Sequence, residues 1–552
     1  MSFSAKLAIL SLLLAACALD ARADKKTVCT ITVNSADEKE IFQRNLPRDD
    51  FQFVELVERG RPDWLESACR AGVRCDVLLI SGHFDSGTEF YSDRLDAKES
   101  LPVEVMERAS CSESCPGLFS QLKEVYLFGC NTLNAQPMRS ASAEIGRSLV
   151  HDGHSAADAE RMSRELSERY GESNRDRMRH VFKDVPVIYG FSSKAPLGRF
   201  AGPTLDRYFQ SGPGLEIGSG RASSKLLGAF ASSSMTSTAG SAESDFDAGF
   251  RRDVCHFSDD RWSSAQKVGF VHQLLGREMA EVRMMLDHIE QFSASLSETE
   301  RGKPAVHLAL DEIAHDEAAR ARYLSFERDA DEPAVRARMI GLAGNFGWLS
   351  SADQRAEVTR MIGDQLAGDR VGSADVDLVC ALNRDHGLDP ELDRVRPRVA
   401  AAQAGSVSHA ALLACMGSTE ARARVLRGLT SANDDEVQIA QIYLQHRPIT
   451  DATELRDVAA EIARMNASDA QARALDTLAR YQLSDREILE TLTRLYPRAK
   501  SVNVQRAIAG ILIRADYQML AGPELARSLR EHRIKSSGGE DMIDVLIRHL
   551  AS

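Results

Sequence analysis

Three short apolar runs constrain the fold of the first part of this chain more than any other feature. They are Cys75–Ser81 (CDVLLIS), Val125–Phe128 (VYLF) and Val185–Tyr189 (VPVIY). A strand that is apolar at nearly every position is buried on both faces, which is typical of parallel sheets covered by helices. Helical segments alternate with these runs. Residues 24–210 therefore predict an α/β domain with a mainly parallel sheet flanked by helices.

Residues 251–552 show few strand signals and carry apolar residues at the spacing of helices. Gln438, Gln471 and Gln505 occupy the same frame in three helical segments, 33 and 34 residues apart. A period of this length is typical of an α-solenoid, in which each helix pair buries its apolar face against its neighbours. The spacing resembles that of HEAT repeats. We predict an all-α, HEAT-like solenoid over 251–552, with a surface for a protein partner.

Residues 211–250 differ in composition from the regions on either side. Ser, Gly, Ala and Thr dominate this stretch, and large apolar residues are few. Such a segment buries too little apolar surface to offset the entropy of ordering the chain. We expect a flexible linker, which proteases cut first.

The first 23 residues have the features of an export signal. Lys6 precedes an apolar run at 7–19 that is too short to span a bilayer comfortably, and Ala-Arg-Ala at 21–23 matches a cleavage site. A signal peptide over 1–23 predicts a periplasmic or secreted protein. In the alternative interpretation, Leu14–Cys17 is a bacterial lipobox and the protein is a lipoprotein anchored through Cys17. No other long apolar run occurs, so we expect no membrane span.

The charge balance argues against one large class of partners. The chain carries 68 Lys and Arg against 81 Asp and Glu, which gives a formal net charge of −13. Proteins that bind nucleic acid usually present a basic domain or stripe. We therefore expect no nucleic-acid partner.

An exported chain can form disulfides, and nine cysteines follow Cys17. Sequence alone does not choose among the connectivities. Two pairs bracket short turns, and either is able to close a small loop: Cys69 with Cys75, and Cys111 with Cys115. Cys380 and Cys415 lie in apolar helical runs and are predicted to be buried thiols. The cysteines lack the spacing typical of a zinc site, so we expect no metal.

Two of the apolar runs end in residues with catalytic chemistry. The first continues into Gly82 and His83, and the second into Gly129 and Cys130. Ligands of an open parallel sheet bind beyond the carboxyl ends of its strands, so His83 and Cys130 are predicted to share one crevice. An imidazole can assist deprotonation of a thiol, and the resulting thiolate is a nucleophile. The glycines allow the backbone to turn sharply there.

This pattern resembles the caspase-like cysteine peptidases, a group that includes caspases, legumains, gingipains, separases and bacterial CHAT proteins. The matching features are an apolar strand ending in Gly-His, an interval of 47 residues, and an apolar strand ending in Gly-Cys. The resemblance covers residues 24–210. It implies that Cys130 is the nucleophile, that His83 is the general acid–base, and that backbone amides of Gly82, Phe84 and Cys130 hold the oxyanion. Many members have Gly where this chain has Phe84, so a bulky side chain is expected beside the oxyanion site.

The resemblance also implies where a substrate binds. The family's substrate-lining segment falls on Tyr189–Phe200, in which Ser192, Ser193 and Arg199 are polar candidates. Asp85, like Glu89 and Asp93, follows His83 and is a candidate for holding a basic P1 side chain. The alternative for these carboxylates is an ordinary solvated loop. Because Arg199 favours an acidic P1 instead, the specificity stays open.

These features together predict an exported cysteine endopeptidase with a helical-repeat region that binds protein. Its substrate is a protein or peptide, and neither a cofactor nor a catalytic metal is required. In the alternative, the α/β domain is a catalytically inactive relative and the solenoid acts as a binding scaffold. A disulfide through Cys130 is the main competing role for that residue.

Overall fold

The computed structural model describes residues 25–551 with short exceptions. The exceptions are residues 85–86, 94–98, 112–114, 116, 137–141, 152, 171–172, 213–215, 369–370, 400–402, 467, 482, 516–521 and 535–540. The predicted signal peptide, Cys17 and Asp85 thus lie outside the described residues. The chain divides into two compact units, Met1–Phe326 and Glu327–Ser552.

A six-stranded, mainly parallel sheet organises the first unit, as the apolar runs predict. Its strands are β1 (Lys26–Thr32), β2 (Phe51–Glu55), β3 (Val77–Ser81), β6 (Glu124–Phe128), β7 (Val187–Phe191) and β8 (Met235–Thr238). The spatial order is β2-β1-β3-β6-β7-β8, and β8 alone runs antiparallel to its neighbour. A separate hairpin pairs β4 (Glu89–Tyr91) with β5 (Ser100–Pro102).

Helices cover both faces of the sheet. The helices of the first unit are α1 (Asp37–Asn45), α2 (Trp64–Arg70), α3 (Val103–Cys111), α4 (Ser142–His151), α5 (Ala156–Arg169), α6 (Asn174–Val181), α7 (Gly198–Gln210), α8 (Ser224–Ala229), α9 (Ala248–Ser258), α10 (Ser264–Leu275), α11 (Met279–Met284), α12 (Leu286–Ser295), α13 (Glu298–Arg301), α14 (Pro304–Ala314) and α15 (Glu317–Asp329), the last of which ends in the second unit. Apolar residues of α2, α3 and α6 pack on one face, and those of α1, α7 and α8 on the other. Central strands are therefore buried on both sides.

The expectation of a flexible linker at 211–250 is wrong. This stretch contains α8 and the edge strand β8, whose Met235 pairs with Phe191 of β7. Several of its large apolar residues, Leu226 and Phe230 among them, are fully buried. Gly240 is required because a Cβ there would lie 1.8 Å from the carbonyl oxygen of Phe182. The small residues thus allow close packing, which composition alone does not distinguish from flexibility.

The boundary between the units also differs from the expected one at 250. Helix α9 belongs to the first unit, where Arg251 donates hydrogen bonds to the carbonyl oxygens of His180 and Ser110 at 3.0 and 3.1 Å. The break falls instead at 326/327. Both sides of that break are helical, so no change of periodicity marks it in the sequence.

The second unit contains helices and no strand among its described residues. They are α16 (Pro333–Asn345), α17 (Ser351–Ala367), α18 (Ser373–Leu382), α19 (Leu392–Val395), α20 (Val407–Cys415), α21 (Thr419–Gly428), α22 (Asp434–His446), α23 (Ala452–Arg464), α24 (Ser468–Leu478), α25 (Arg486–Leu495), α26 (Val502–Arg514), α27 (Gly522–Glu531) and α28 (Met542–Ala551). One row runs through α18, α22, α24, α26 and α28, each packing on the next, and α23 packs on α25 beside it. A single apolar core extends through this unit.

Two of the three repeated glutamines have the same structural role. Gln471 donates from Nε2 to the carbonyl oxygen of Ile462 at 2.8 Å, and Gln505 donates to that of Tyr496 at 3.4 Å. Each acceptor lies nine residues before its glutamine, and both glutamines are buried. Gln438 is exposed instead. The repeated glutamine thus makes an equivalent buried hydrogen bond in α24 and α26, whereas the glutamine at the same position of α22 is exposed.

The cysteine pairing differs from the local loops considered for the sequence. Four disulfides join Cys29 with Cys75, Cys69 with Cys115, Cys111 with Cys255, and Cys380 with Cys415. The expectation of thiols at Cys380 and Cys415 is therefore wrong, because α18 and α20 bring their Cα atoms to 4.8 Å. Sequence neighbours do not pair because each lies opposite a cysteine of another element. Among the described cysteines, Cys130 is the free thiol.

Among the described residues, no helix combines the length and the apolar character needed to cross a membrane.

The disulfide pattern predicts the outcome of peptide mapping. Protein from an oxidising compartment, denatured in urea with iodoacetamide and no reductant, should give the four linked pairs and label Cys130 alone among residues 25–551. The Cα separations of 4.8 to 5.6 Å are those of ordinary disulfides. A reduced sample serves as the control and should label all nine cysteines after Cys17. A linked Cys69–Cys75 peptide, or a labelled Cys380, would contradict the pairing.

Candidate functional site

The register of two central strands brings the predicted dyad to one edge of the sheet. In the parallel ladder between β3 and β6, Ser81 lies opposite Phe128, and each residue ends its strand. His83 and Cys130 each lie two residues beyond these partners. Adjacent strands are about 4.8 Å apart, so the chain leaves the sheet with the two residues on neighbouring tips. The carboxyl edge of the sheet therefore holds both predicted catalytic residues.

Backbone pairing holds the loop that carries His83. The amide of His83 donates to the carbonyl oxygen of Tyr91 at 3.0 Å, and the Tyr91 amide donates back at 2.9 Å. The two rings pack with their centroids 5.3 Å apart. Oδ2 of Asp93 lies 3.2 Å from His83 Nε2 but off the line of a hydrogen bond, so Nε2 has no hydrogen-bond partner within the described residues. The ring is thus oriented, and its buried Nε2 has no hydrogen bond within the described residues.

The thiol of Cys130 lies at a sharp turn. Asn131, the next residue, adopts a left-handed φ of 59°, a conformation that asparagine tolerates better than most residues. Its amide donates to the carbonyl oxygen of Ser193 at 2.7 Å. The amide of Ala195 donates to Cys130 Sγ at 3.4 Å. Cys130 is partly exposed, so it is accessible to a reactant.

The three amides proposed for the oxyanion differ in availability. The Gly82 amide donates to the carbonyl oxygen of Phe128 at 3.1 Å, so it extends the sheet and the prediction that it holds the oxyanion is wrong. In the described part of the chain, the amides of Phe84 and Cys130 have no acceptor. The Phe84 side chain does not crowd the site, because it is fully buried with its ring centroid 4.5 Å from that of Phe90. Two of the three backbone amides, those of Phe84 and Cys130, thus remain as candidate oxyanion donors.

The strand residues at the start of the predicted substrate segment are buried and face the core. Tyr189 and Phe191 pack inside the unit. Ser192 donates through its amide and its hydroxyl to the carbonyl oxygen of Ser234 at 3.1 and 3.2 Å. The carbonyl of Ser193 accepts from Asn131, and its side chain is exposed. These serines therefore fix the loop after β7 against β8 and against the turn of the thiol.

The exposed part of this segment combines charge with apolar surface. Leu197 is 49% exposed and Phe200 is 59% exposed, both at the start of α7. The guanidinium of Arg199 lies 4.8 Å from the centroid of the Phe200 ring. Ala195, which contacts the thiol sulfur, lies two residues before Leu197. Two exposed apolar side chains thus follow closely in sequence the residue that contacts the thiol sulfur.

A buried carboxyl lies behind the tip of β3. Glu38 in α1 is only 2% exposed and accepts a hydrogen bond from the Ser81 hydroxyl at 2.8 Å. Burial raises the pKa of this carboxyl above its usual range, and the bond from Ser81 partly opposes that effect. The pair ties α1 to the strand that leads into His83.

Several contributions at this edge come from groups that sequence patterns do not single out. The Ala195 contact uses a backbone amide, so its side chain gives no signal. Asp93, predicted with Asp85 and Glu89 to line a pocket, instead approaches the imidazole. Asn131 does carry a signal, since an asparagine after Gly-Cys is suited to a left-handed turn.

Comparisons with protein-family models, with curated proteins and with solved structures found no match. The described residues contain no group of three or more His, Cys, Asp or Glu side chains arranged to hold a metal ion. The chemistry of the site is therefore argued from its own residues.

The close approach at Gly129 predicts that any side chain there damages the site. A Cβ on Gly129 would lie 2.8 Å from the Phe84 Cβ and 3.0 Å from the Gly82 carbonyl oxygen. Overpacking of this kind costs about 1–3 kcal/mol. We expect Gly129→Ala to lower the free energy of unfolding by about that amount and to displace the His83 loop from Cys130. Urea unfolding and the alkylation rate of Cys130 measure the two effects.

Gly341→Ala is the matched control. Gly341 lies exposed in α16 with nothing within 4 Å of its Cβ position, so alanine there should be neutral or stabilise by up to about 1 kcal/mol. If Gly129→Ala is as stable and as reactive as the wild type, the packing described for these two loops is incorrect.

Proposed function

We propose that this protein is an exported cysteine endopeptidase of the caspase-like type that uses His83 and Cys130. The observation that carries the proposal is the placement of a partly exposed free cysteine and of an imidazole whose Nε2 has no hydrogen bond within the described residues, beyond the ends of two register-matched strands. Eight other described cysteines are in disulfides, so a thiol left free in an oxidising compartment argues for use as a thiol.

The proposed reaction assigns a role to each group. His83 accepts the proton of Cys130 Sγ, and the sulfur bonds to the scissile carbonyl carbon. Amides of Phe84 and Cys130 donate to the oxyanion, and the imidazolium passes its proton to the leaving nitrogen as the C–N bond breaks. Water then attacks the thioester with His83 as base, which releases the acid and returns the proton to sulfur. Asp93 lies near the imidazole and stabilises its positive charge.

The substrate is proposed to be a protein or peptide with an apolar side chain near the scissile bond. Leu197 and Phe200 follow within five residues of Ala195, whose amide contacts the thiol, and exposed apolar side chains are suited to an apolar group. The positive charge of Arg199 would favour an acidic group in the substrate beside that apolar group. A role for Asp85 in holding a basic P1 remains part of the proposal, since that residue lies outside the described ones.

The second unit is proposed to be a HEAT-like solenoid that binds a protein partner. Support comes from the row of successively packed helices and from the equivalent bonds of Gln471 and Gln505. Stacked helix pairs offer extended surfaces to protein ligands. The alternative, an inactive peptidase relative serving as a scaffold, gains some support from the Gly82 amide, because that donor is engaged in the sheet.

Loss of peptide hydrolysis in dyad variants tests the peptidase proposal. We expect Cys130→Ala and His83→Ala each to lower kcat/KM by at least about a thousandfold on a peptide library, since dyad members act as a unit. His154→Ala is the control because this histidine is exposed and lies outside the site. Hydrolysis that survives Cys130→Ala, or an inactive wild type that still binds a partner, would favour the scaffold.

The exposed side chain of Phe200 predicts a specificity effect. Phe200→Ala should raise KM several-fold for substrates with an apolar residue near the cleaved bond and change kcat little, because it removes ground-state contacts. Phe246→Ala is a matched control, since Phe246 is also more than half exposed and also lies against an arginine, Arg169, at 5.3 Å. Equal effects of the two substitutions on KM would argue against a substrate role for Phe200.

A further inference from the structure

The start of α6 contacts both loops of the site. Asn174, the first residue of this helix, is only 2% exposed. Its Nδ2 donates to the carbonyl oxygen of Asn131 at 3.0 Å, and Asn131 directly follows Cys130. The amide of Arg175 adds a bond to the carbonyl oxygen of Asn134 at 3.0 Å. The turn that carries the thiol thus rests on the first residues of α6.

The same helix end holds the loop that follows His83. Gly87 has a left-handed φ of 73°, and a Cβ on it would lie 2.5 Å from Oδ1 of Asn174. Arg177 donates to the carbonyl oxygen of Gly87 at 2.8 Å. Glycine is needed at this position both for its conformation and for the close approach of Asn174. One buried side chain therefore lies against both loops.

Helix α6 is itself firmly held, so it can serve as a fixed reference. Ser173 caps the helix by accepting from the amide of Asp176 at 3.1 Å. Farther along, His180 Nε2 lies 2.9 Å from Oδ2 of Asp247, and both residues are buried. Because α6 is held near both of its ends, the side chain of Asn174 has a fixed point of attachment.

We propose that Asn174 is a positioning residue that fixes the Cys130 turn and the His83 loop relative to each other. It acts through the backbone of Asn131 and Gly87, and within the described residues it makes no hydrogen bond to the thiol or the imidazole. The inference rests on the proposed dyad. It adds that the dyad depends on a third element, α6, which sequence reasoning did not connect with the site.

The test measures how fast Cys130 is alkylated as the pH changes. A thiolate formed by an adjacent imidazole reacts with chloroacetamide in mildly acidic solution, whereas an ordinary thiol reacts only as the solution becomes alkaline. In a plot of alkylation rate against pH, the wild type should therefore show reaction at mildly acidic pH. We call this part of the plot the acidic limb, and His83→Ala should remove it. Asn174→Asp keeps the size of the side chain but replaces the donor with an oxygen that repels the Asn131 carbonyl. It should slow alkylation at pH 6 by roughly tenfold.

Two further variants separate positioning from general destabilisation. Asn383→Asp is the matched control, because Asn383 is also buried and donates from Nδ2 to a carbonyl oxygen, that of Cys415, at 2.8 Å in the second unit. It should leave the acidic limb intact. Gly87→Ala adds a methyl group that would clash with Asn174 from the loop that follows His83. It should therefore also remove the acidic limb. Adding Asn174→Asp to His83→Ala should change the profile no further.

The outcomes distinguish this inference from the function on which it rests. A wild-type profile without an acidic limb removes the dyad and the inference together. A wild-type limb that persists in a folded Asn174→Asp protein removes the inference alone. If Asn174→Asp does not fold, the Gly87→Ala profile decides, and an intact limb there overturns the proposal.

Discussion

The candidate site depends on the parallel ladder between β3 and β6. Both strands are buried at every position, so their register is set by packing on two faces as well as by backbone hydrogen bonds. A slip of one residue would turn every side chain to the opposite face and would move His83 away from Cys130. The bond from the Gly82 amide to Phe128 extends this ladder beyond the strands. The relative placement of His83 and Cys130 is thus a consequence of how the core packs.

The sequence predicts this part of the molecule because its signals are local. Continuous apolar runs identify buried strands, and the residues that follow them must lie at the carboxyl edge of a parallel sheet. The availability of a backbone amide is not local, which is why the assignment of Gly82 to the oxyanion was wrong. Phe84 is similar, because its burial depends on packing against Phe90 of the β4–β5 hairpin.

The other departures have the same physical origin. Residues 211–250 contain few apolar side chains, yet β8 completes the sheet, and Gly240 fits where no other residue does. The cysteines closest in sequence pair with partners 46 to 144 residues away, because strand and helix packing decides which thiols meet. In the second unit the repeat spacing correctly marks Gln471 and Gln505 as equivalent. The exposure of Gln438 shows that a shared frame does not guarantee a shared contact.

The disulfide between Cys111 and Cys255 encloses β6, β7 and β8, together with Cys130. If a protease cuts one peptide bond anywhere inside this loop, the two pieces stay covalently joined. A maturation cut near the thiol would therefore yield a two-chain molecule held by a single bridge. Such a molecule would differ from the intact protein by only the mass of one water until a reductant separates its chains, and Cys130 would remain covalently connected to the strand that leads into His83.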